Sequence, residues 1–204
     1  MVDTRRQQID DVASALFRER GYAATSVREI ARGVDLQGAS LYAHVASKEA
    51  LLWSIVWRVA ERFRLAADAA LASPGPSAAR LAVLIRAHVE IVAGEREDAA
   101  VFLQDWRFLD EPHRVEIAAR REAYEAVLRG LLVEGVRDGS LRSLDGPADA
   151  AVTGRAILAA LNGISAWYHP DGALDTAAVA DAYLSIFMRG LQAMVMPTTE
   201  EAQP

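Results

Sequence analysis

Apolar residues recur at three- and four-residue spacing along nearly the whole chain, and no run alternates with period two. The pattern predicts an all-α protein of about nine helices. A first helix over residues 4–20 places Ile9, Val12, Ala13, Leu16 and Phe17 on one face, and Gly21-Tyr22 breaks it. Ser26 with Glu29 three residues on has capping-box spacing, and Val27, Ile30 and Ala31 supply the inner face of a short second helix. Gly33-Val34-Asp35-Leu36 makes a turn, a third helix covers 37–44, and Ser47 caps a fourth that runs to about residue 72. The clearest break is Ser73-Pro74-Gly75-Pro76-Ser77. Beyond it the periodicity predicts helices over 78–93, 97–109, 112–138, 147–169 and 176–195. Pro112 and Pro147 suit first-turn positions, and Gly139 and Gly146 suit stops. Tyr168-His169-Pro170-Asp171-Gly172 reads as a type I turn, and 197–204 as a frayed polar tail.

The third helix is unusual in what it lacks. At 100° per residue, Leu41 and Val45 share one side, while Ala39 and Ala43 lie opposite, flanked by Ser40 and Tyr42. Gln37 and Gly38 project forward from the first turn. A helix that enters the major groove of DNA, roughly 12 Å wide, needs a leading face of this slimness. Alanine can meet a thymine methyl and glutamine an adenine edge, so Arg28, Gln37, Gly38, Ala39 and Ala43 are the candidate base contacts. Thr25, Ser26, Ser40, Tyr42, His44 and Lys48 surround them as candidate phosphate contacts, fixing register rather than sequence. The free N–H groups at the start of helix two favour an anion there as well. The plainer alternative is a helical corner whose small residues serve packing.

Composition sharpens this picture. Net charge is −6, which argues against a general coating for nucleic acid, but residues 1–48 sum to +1 and the remainder to −7. Lys48 is the only lysine. Cysteine is absent, excluding disulfides, thiolate metal sites and thiol nucleophiles. His44, His88, His113 and His169 are scattered without metal-ligand spacing, and no nucleophile elbow, phosphate loop or dinucleotide fingerprint occurs. Neither an enzyme nor a bound metal or cofactor is expected. The first apolar residues are interspersed with Asp, Arg and Gln, unlike a leader, and no apolar run nears the ~20 residues of a membrane span. A cytoplasmic location is the expectation.

The spacings Ile9-x-x-Ala-x-x-Leu16-Phe17, Gly21-Tyr22, Thr25-Ser26-Val27-Arg28-x-Ile30-Ala31, Leu41-Tyr42-x-His44-Val45 and Ser47-Lys48-Glu49-x-Leu51 resemble those of the tetracycline-repressor (TetR) family of bacterial regulators. The resemblance implies a helix-turn-helix DNA-binding domain over residues 1–47 and a ligand-binding, dimerising domain over 48–196, joined by the fourth helix. It also places Lys48 at a phosphate-contacting position. Three departures stand out: Asp35 where Gly is common, Gln37 in place of a Ser/Thr cap, and Val45 in place of Phe. Asp tolerates left-handed geometry, so the turn should survive.

In the second half, His88 and Asp105 interrupt apolar stripes, and with Phe102, Trp106, Tyr124, Asn162 and Trp167 they outline a candidate effector pocket. Arg120-Arg121-x-x-Tyr124-Glu125 and Trp167-Tyr168-x-Pro170-x-Gly172 look like a subgroup of the family that governs lipid or other acyl-CoA catabolism. An acyl-CoA effector is then implied, with Arg120 or Arg121 near its phosphates, although surface ion pairing is the more ordinary use of both arginines. Ala156, Ala159, Ala160 and Gly163 in the eighth predicted helix permit close approach. Val179, Tyr183, Ile186, Phe187, Gly190 and Met194 give the last helix more apolar surface than one core needs, so a homodimer through these two helices is expected. The leading expectation is a homodimeric repressor on a near-palindromic operator, released by a small molecule. The alternative is a DNA-binding or protein-interaction dimer without an effector.

Overall fold

The computed structural model describes residues 4–142, 144 and 147–191, with Thr4, Ala39 and Pro147 described by backbone alone. Gly146, Met194 and the tail 197–204 lie outside the described residues. The helices are α1 (Thr4–Arg20), α2 (Val27–Gly33), α3 (Gly38–Leu41), α4 (Lys48–Ala72), α5 (Ser77–Gly94), α6 (Arg96–Gln104), α7 (Glu111–Arg137), α8 (Pro147–Asn162), α9 (Ile164–Trp167) and α10 (Thr176–Leu191), with one 3-10 turn at Trp106–Phe108. The described residues contain no strand, as the periodicity predicts.

Local chemistry explains the N-terminal boundaries. Ser26 accepts from the Glu29 N–H, and the Glu29 carboxylate accepts from the Ser26 N–H at 2.7 Å, completing the capping box. Asp35 takes φ 54°, the left-handed geometry that its short polar side chain tolerates. Helices α1 and α2 meet so closely at Gly33 that a Cβ there would lie 2.5 Å from Val12 Cγ1. Ser47 caps α4 by accepting from the Ala50 N–H at 2.9 Å.

Three predicted helices are shorter than their periodicity suggests. The third is regular only over Gly38–Leu41. Gln37 makes no side-chain cap bond, and the chain then tightens, with Ala43 and His44 donating three residues back to Ser40 and Leu41. The sixth ends at Gln104, where Asp105 turns its carboxylate to the backbone N–H of Tyr22 and the chain enters the 3-10 turn. The eighth divides into α8 and α9 at Gly163. The turn after α9 forms as its residues predict, with the Gly172 N–H donating to the His169 carbonyl across Pro170-Asp171 at 2.9 Å.

A continuous core runs from Ile9 and Phe17 through Leu51, Ile55 and Val59 of α4 to Leu84, Ile85 and Leu128. Helices α4, α5 and α7 pack on one another, α8 covers α7, and α10 lies along α5. Helix α6 reaches the other way, against α1 and α4. That second contact is polar. Arg58 of α4 donates to Asp10 of α1 at 3.3 Å and to Asp98 of α6 at 3.1 and 2.6 Å. Ser14 also donates to Asp98, and Arg18 pairs with Glu97 at 3.4 Å. The buried Asp10 carboxylate is completed by Arg6 and Ser54.

Candidate nucleic-acid interface and effector cavity

Leu41 and Val45 of the third helical segment are buried, and the segment packs on α2, which turns the opposite side outward. Gln37, Ser40, Tyr42, Ala43 and His44 are exposed, and Tyr42 is 57% exposed despite its ring. Gln37 has the extended backbone of a cap residue, yet its amide is left uncommitted by the helix start. From α2, Arg28 extends beside Gly38, whose added Cβ would lie 3.7 Å from Arg28 Cγ. Arg28, Gln37 and Gly38 therefore form one contiguous edge. Ser26 is exposed at the α2 N-terminus. The side chain of Ala39 lies outside the described residues.

Thr25 is the exception in the candidate set. It is buried, and its hydroxyl is turned to the backbone carbonyls of Gly21, at 3.0 Å, and Leu16. It fastens the turn between α1 and α2 rather than facing outward. Charge is equally selective. Arg6, Arg18 and Arg20 are engaged by Asp10, Glu97 and Glu29, whereas Arg28 and Lys48 make no ion pair among the described residues. Exposed Arg32, at the end of α2, is likewise without an ion pair among the described residues. Lys48 lies over the Tyr22 ring, 4.1 Å from its centroid, and partial burial lowers its pKa against the pull of Asp105 and Glu29.

The second half contains a cavity of about 460 Å³ lined by residues of α4 to α8. It brings together His88, Phe102, Trp106, Tyr124 and Asn162 from the predicted pocket, and adds Phe63 and Arg121. Asp105 and Trp167 do not join them. Asp105 points to Tyr22, and Trp167, 46% exposed, stacks on Tyr183 of α10 at 6.5 Å. Periodicity places Asp105 on the stripe of Phe102 and Trp106, but the helix ends at Gln104, so Asp105 leaves the stripe while Trp106 still reaches the cavity.

The cavity lining combines the aromatic rings of Phe63, Phe102, Trp106 and Tyr124 with the charged side chains of Arg120, Arg121, Glu122, Glu125 and Arg155. His88 Nδ1 lies 3.1 Å from the Tyr124 hydroxyl, while its Nε2 and the Trp106 Nε1 are buried without hydrogen-bond partners among the described residues. Burial, reinforced by the nearby Arg121 charge and opposed by Asn162, lowers the His88 pKa from 6.5 to about 3, so its imidazole is neutral. Arg121 pairs with no carboxylate among the described residues. Its guanidinium sits 4.9 Å from the Phe102 ring and 5.3 Å from that of Trp106, and burial depresses its pKa. Arg120 is different: it stacks on Trp57 at 3.8 Å and pairs with Glu61 at 3.2 Å. Phe63 could have been found from its place on the inner stripe of α4, but Arg121 could be separated from Arg120 only once their partners were known.

Residues 9–55 match the model of bacterial regulatory proteins of the tetR family, and residues 74–191 match that of the tetracyclin repressor-like C-terminal domain. The chain belongs to the TetR family. The regulator is 30% identical over 188 residues to the HTH-type transcriptional repressor KstR2 of Rhodococcus jostii, covering 92% of this chain and 91% of that one. The structure of the ketosteroid transcriptional regulator KstR2 of Mycobacterium tuberculosis superposes with a TM-score of 0.88 at 27% identity, covering 95% of this chain and 97% of that one. AibR, solved in complex with isovaleryl coenzyme A and operator DNA, gives a TM-score of 0.77 at 26% identity, covering 89% and 97%. The regulator is accordingly a transcription factor with a DNA-binding function and not an enzyme. No helix among the described residues is long and apolar enough to cross a membrane.

Proposed function

We propose that the regulator is a homodimeric repressor that binds a near-palindromic operator and is released when an acyl-CoA-type or similar anionic, largely apolar effector enters the cavity. The observation that carries this reading is Arg121, a partly buried cation beside the Phe102 and Trp106 rings that pairs with no carboxylate among the described residues. Leaving a partly buried charge unpaired is unfavourable, and an incoming anion relieves it. Neutral His88 and the Trp106 N–H offer two more polar contacts, and a volume of about 460 Å³ lies in the range of small-molecule sites. Such a cavity speaks against a dimer with a solid core and no effector. AibR binds isovaleryl coenzyme A, and a Bacillus subtilis relative at 23% identity is a fatty acid metabolism regulator protein, both in keeping with a role in lipid catabolism.

In this reading residues 1–47 form the DNA-binding domain and 48–196 the effector and dimerisation domain. Arg28, Gln37, Gly38, Ala39 and Ala43 face base edges, and Ser26, Ser40, Tyr42, His44 and Lys48 meet phosphates. The dimer forms through α8 and α10. Val152, Ala156 and Ala159 make an exposed stripe on α8 that leads to exposed Gly163 just beyond its end, and Ile186 of α10 is 62% exposed. Two recognition segments about one DNA turn apart would then fit successive major grooves. The test is operator affinity, on a duplex selected from random sequence, with and without a panel of acyl-CoA thioesters. A fall in affinity supports induction. Unchanged affinity across the panel removes the induction claim and leaves DNA binding standing.

A further inference from the structure

Lys48 does not project freely from the head of α4. Its ammonium lies over Tyr22, and Tyr22 in turn stacks on Phe108, with ring centroids 5.5 Å apart and planes inclined by 29°. The Asp105 carboxylate lies toward the backbone N–H of Tyr22, and its charge also attracts Lys48. Asp105 is buried, Phe108 is 51% exposed, and the Tyr22 ring also meets Phe17 edge-on, with centroids 5.2 Å apart. These groups come from three segments: the loop after α1, the start of α4, and the turn between α6 and α7. The same turn carries Trp106, which lines the cavity. Residues 105–108 therefore present two side chains to the DNA-binding head and a third to the cavity.

We infer that Asp105 and Phe108 are positioning residues for Lys48, holding Tyr22 as a platform beneath its ammonium, and that movement of Trp106 in the cavity reaches the phosphate grip through their shared turn. The inference rests on the proposed reading of Lys48 as a phosphate contact and of the cavity as the effector site. A lysine chain is among the most entropically costly to order, so a ring face that orders it beforehand strengthens the phosphate contact. Trp106 Nε1 is a buried donor without a partner among the described residues, and a ligand acceptor can engage it only if the indole shifts. Asp105 is its direct chain neighbour and Phe108 lies two residues on, so the platform moves with it. Helix α4 need not swing for the grip to weaken.

The test is a double-mutant cycle on the full chain, using a duplex selected from random sequence and reading affinity and its salt dependence by fluorescence anisotropy. Lys48→Met should weaken binding about tenfold and reduce the salt slope by about one per subunit. Phe108→Ala should weaken binding about three- to tenfold in the native background, and less than about twofold when Lys48 is already methionine. Phe108→Tyr should restore affinity, which a general loss of packing would not predict. Trp106→Leu, which keeps an apolar side chain, should weaken binding in the native background only. Additive effects, or a silent Phe108→Ala beside a damaging Lys48→Met, overturn the positioning role and leave the DNA interface intact. A silent Trp106→Leu overturns the link to the cavity. If Lys48→Met changes neither affinity nor slope, the inference falls together with the place of Lys48 among the phosphate contacts.

Discussion

Replacing His88 by glutamine removes a proton-binding site that folding shuts off. His88 is 2% exposed and its imidazole is held neutral, with a pKa lowered to about 3 by burial and by Arg121. Between about pH 6.5 and pH 3 the unfolded chain therefore binds a proton here that the folded chain refuses. The sign follows directly: where the unfolded state binds more protons, stability rises with pH, so this group destabilises the fold as pH falls through that window. A tenfold difference in proton affinity is worth about 1.36 kcal/mol, and integration from about pH 7 to pH 5 gives about 2 kcal/mol for this single residue. Urea unfolding followed by helical circular dichroism at the two pH values measures it. The native chain should lose about 2 kcal/mol more than His88→Gln over that interval. Glutamine still offers a polar partner to the Tyr124 hydroxyl, so the variant retains that contact. Equal losses in the two proteins would mean that His88 protonates in the folded state, and that the cavity is wetter than its geometry implies.

The interface makes its own predictions. Tyr42→Ala should weaken binding to all operator variants by a similar factor, whereas Gln37→Ala should relax preference at one base position; a binding series over point-substituted duplexes separates the two. Arg121→Gln should abolish the response to acyl-CoA probes while leaving effector-free operator affinity unchanged, and Arg120→Gln, whose native partners are Glu61 and Trp57, should change the response little; titration of operator release measures both. Ile186→Glu should yield monomer in analytical ultracentrifugation, with a matching loss of operator affinity. Asp98→Asn removes the carboxylate that receives Arg58 and Ser14, and should lower stability by about 1–3 kcal/mol in denaturant unfolding.

The N-terminal helices were legible because each carries its own punctuation. Ser26 with Glu29, Ser47, and the left-handed Asp35 are local devices that work through neighbours in sequence, so spacing alone reveals them. Pro112 in the first turn of α7 and Gly139 after its end belong to the same class. Failures came where a distant partner decides the outcome. Asp105 has the right period for the cavity stripe, but the Tyr22 N–H captures its carboxylate and the helix stops one residue earlier. Thr25 has a hydroxyl suited to phosphate, but the carbonyls of Gly21 and Leu16 claim it. Arg120 and Arg121 are adjacent and chemically identical. Only the position of Trp57 and Glu61 on α4 commits the first and leaves the second facing Phe102 and Trp106.

The Arg58 bridge bears on how far such regulators can be treated as interchangeable parts. One guanidinium serves a carboxylate on α1 and another on α6, so the N-terminal helices are fitted to the C-terminal half of the chain by a specific polar joint. A chimera cut at the start of α4, carrying the head of one relative on the sensor of another, keeps Arg58 and Asp98 but acquires foreign residues at the positions of Asp10, Ser14, Arg18 and Tyr22. Such a hybrid can fold and bind each of its ligands while the two events no longer report on one another. Engineering a biosensor from this chain therefore means transplanting the complementary faces of α1 and α6 along with the recognition segment.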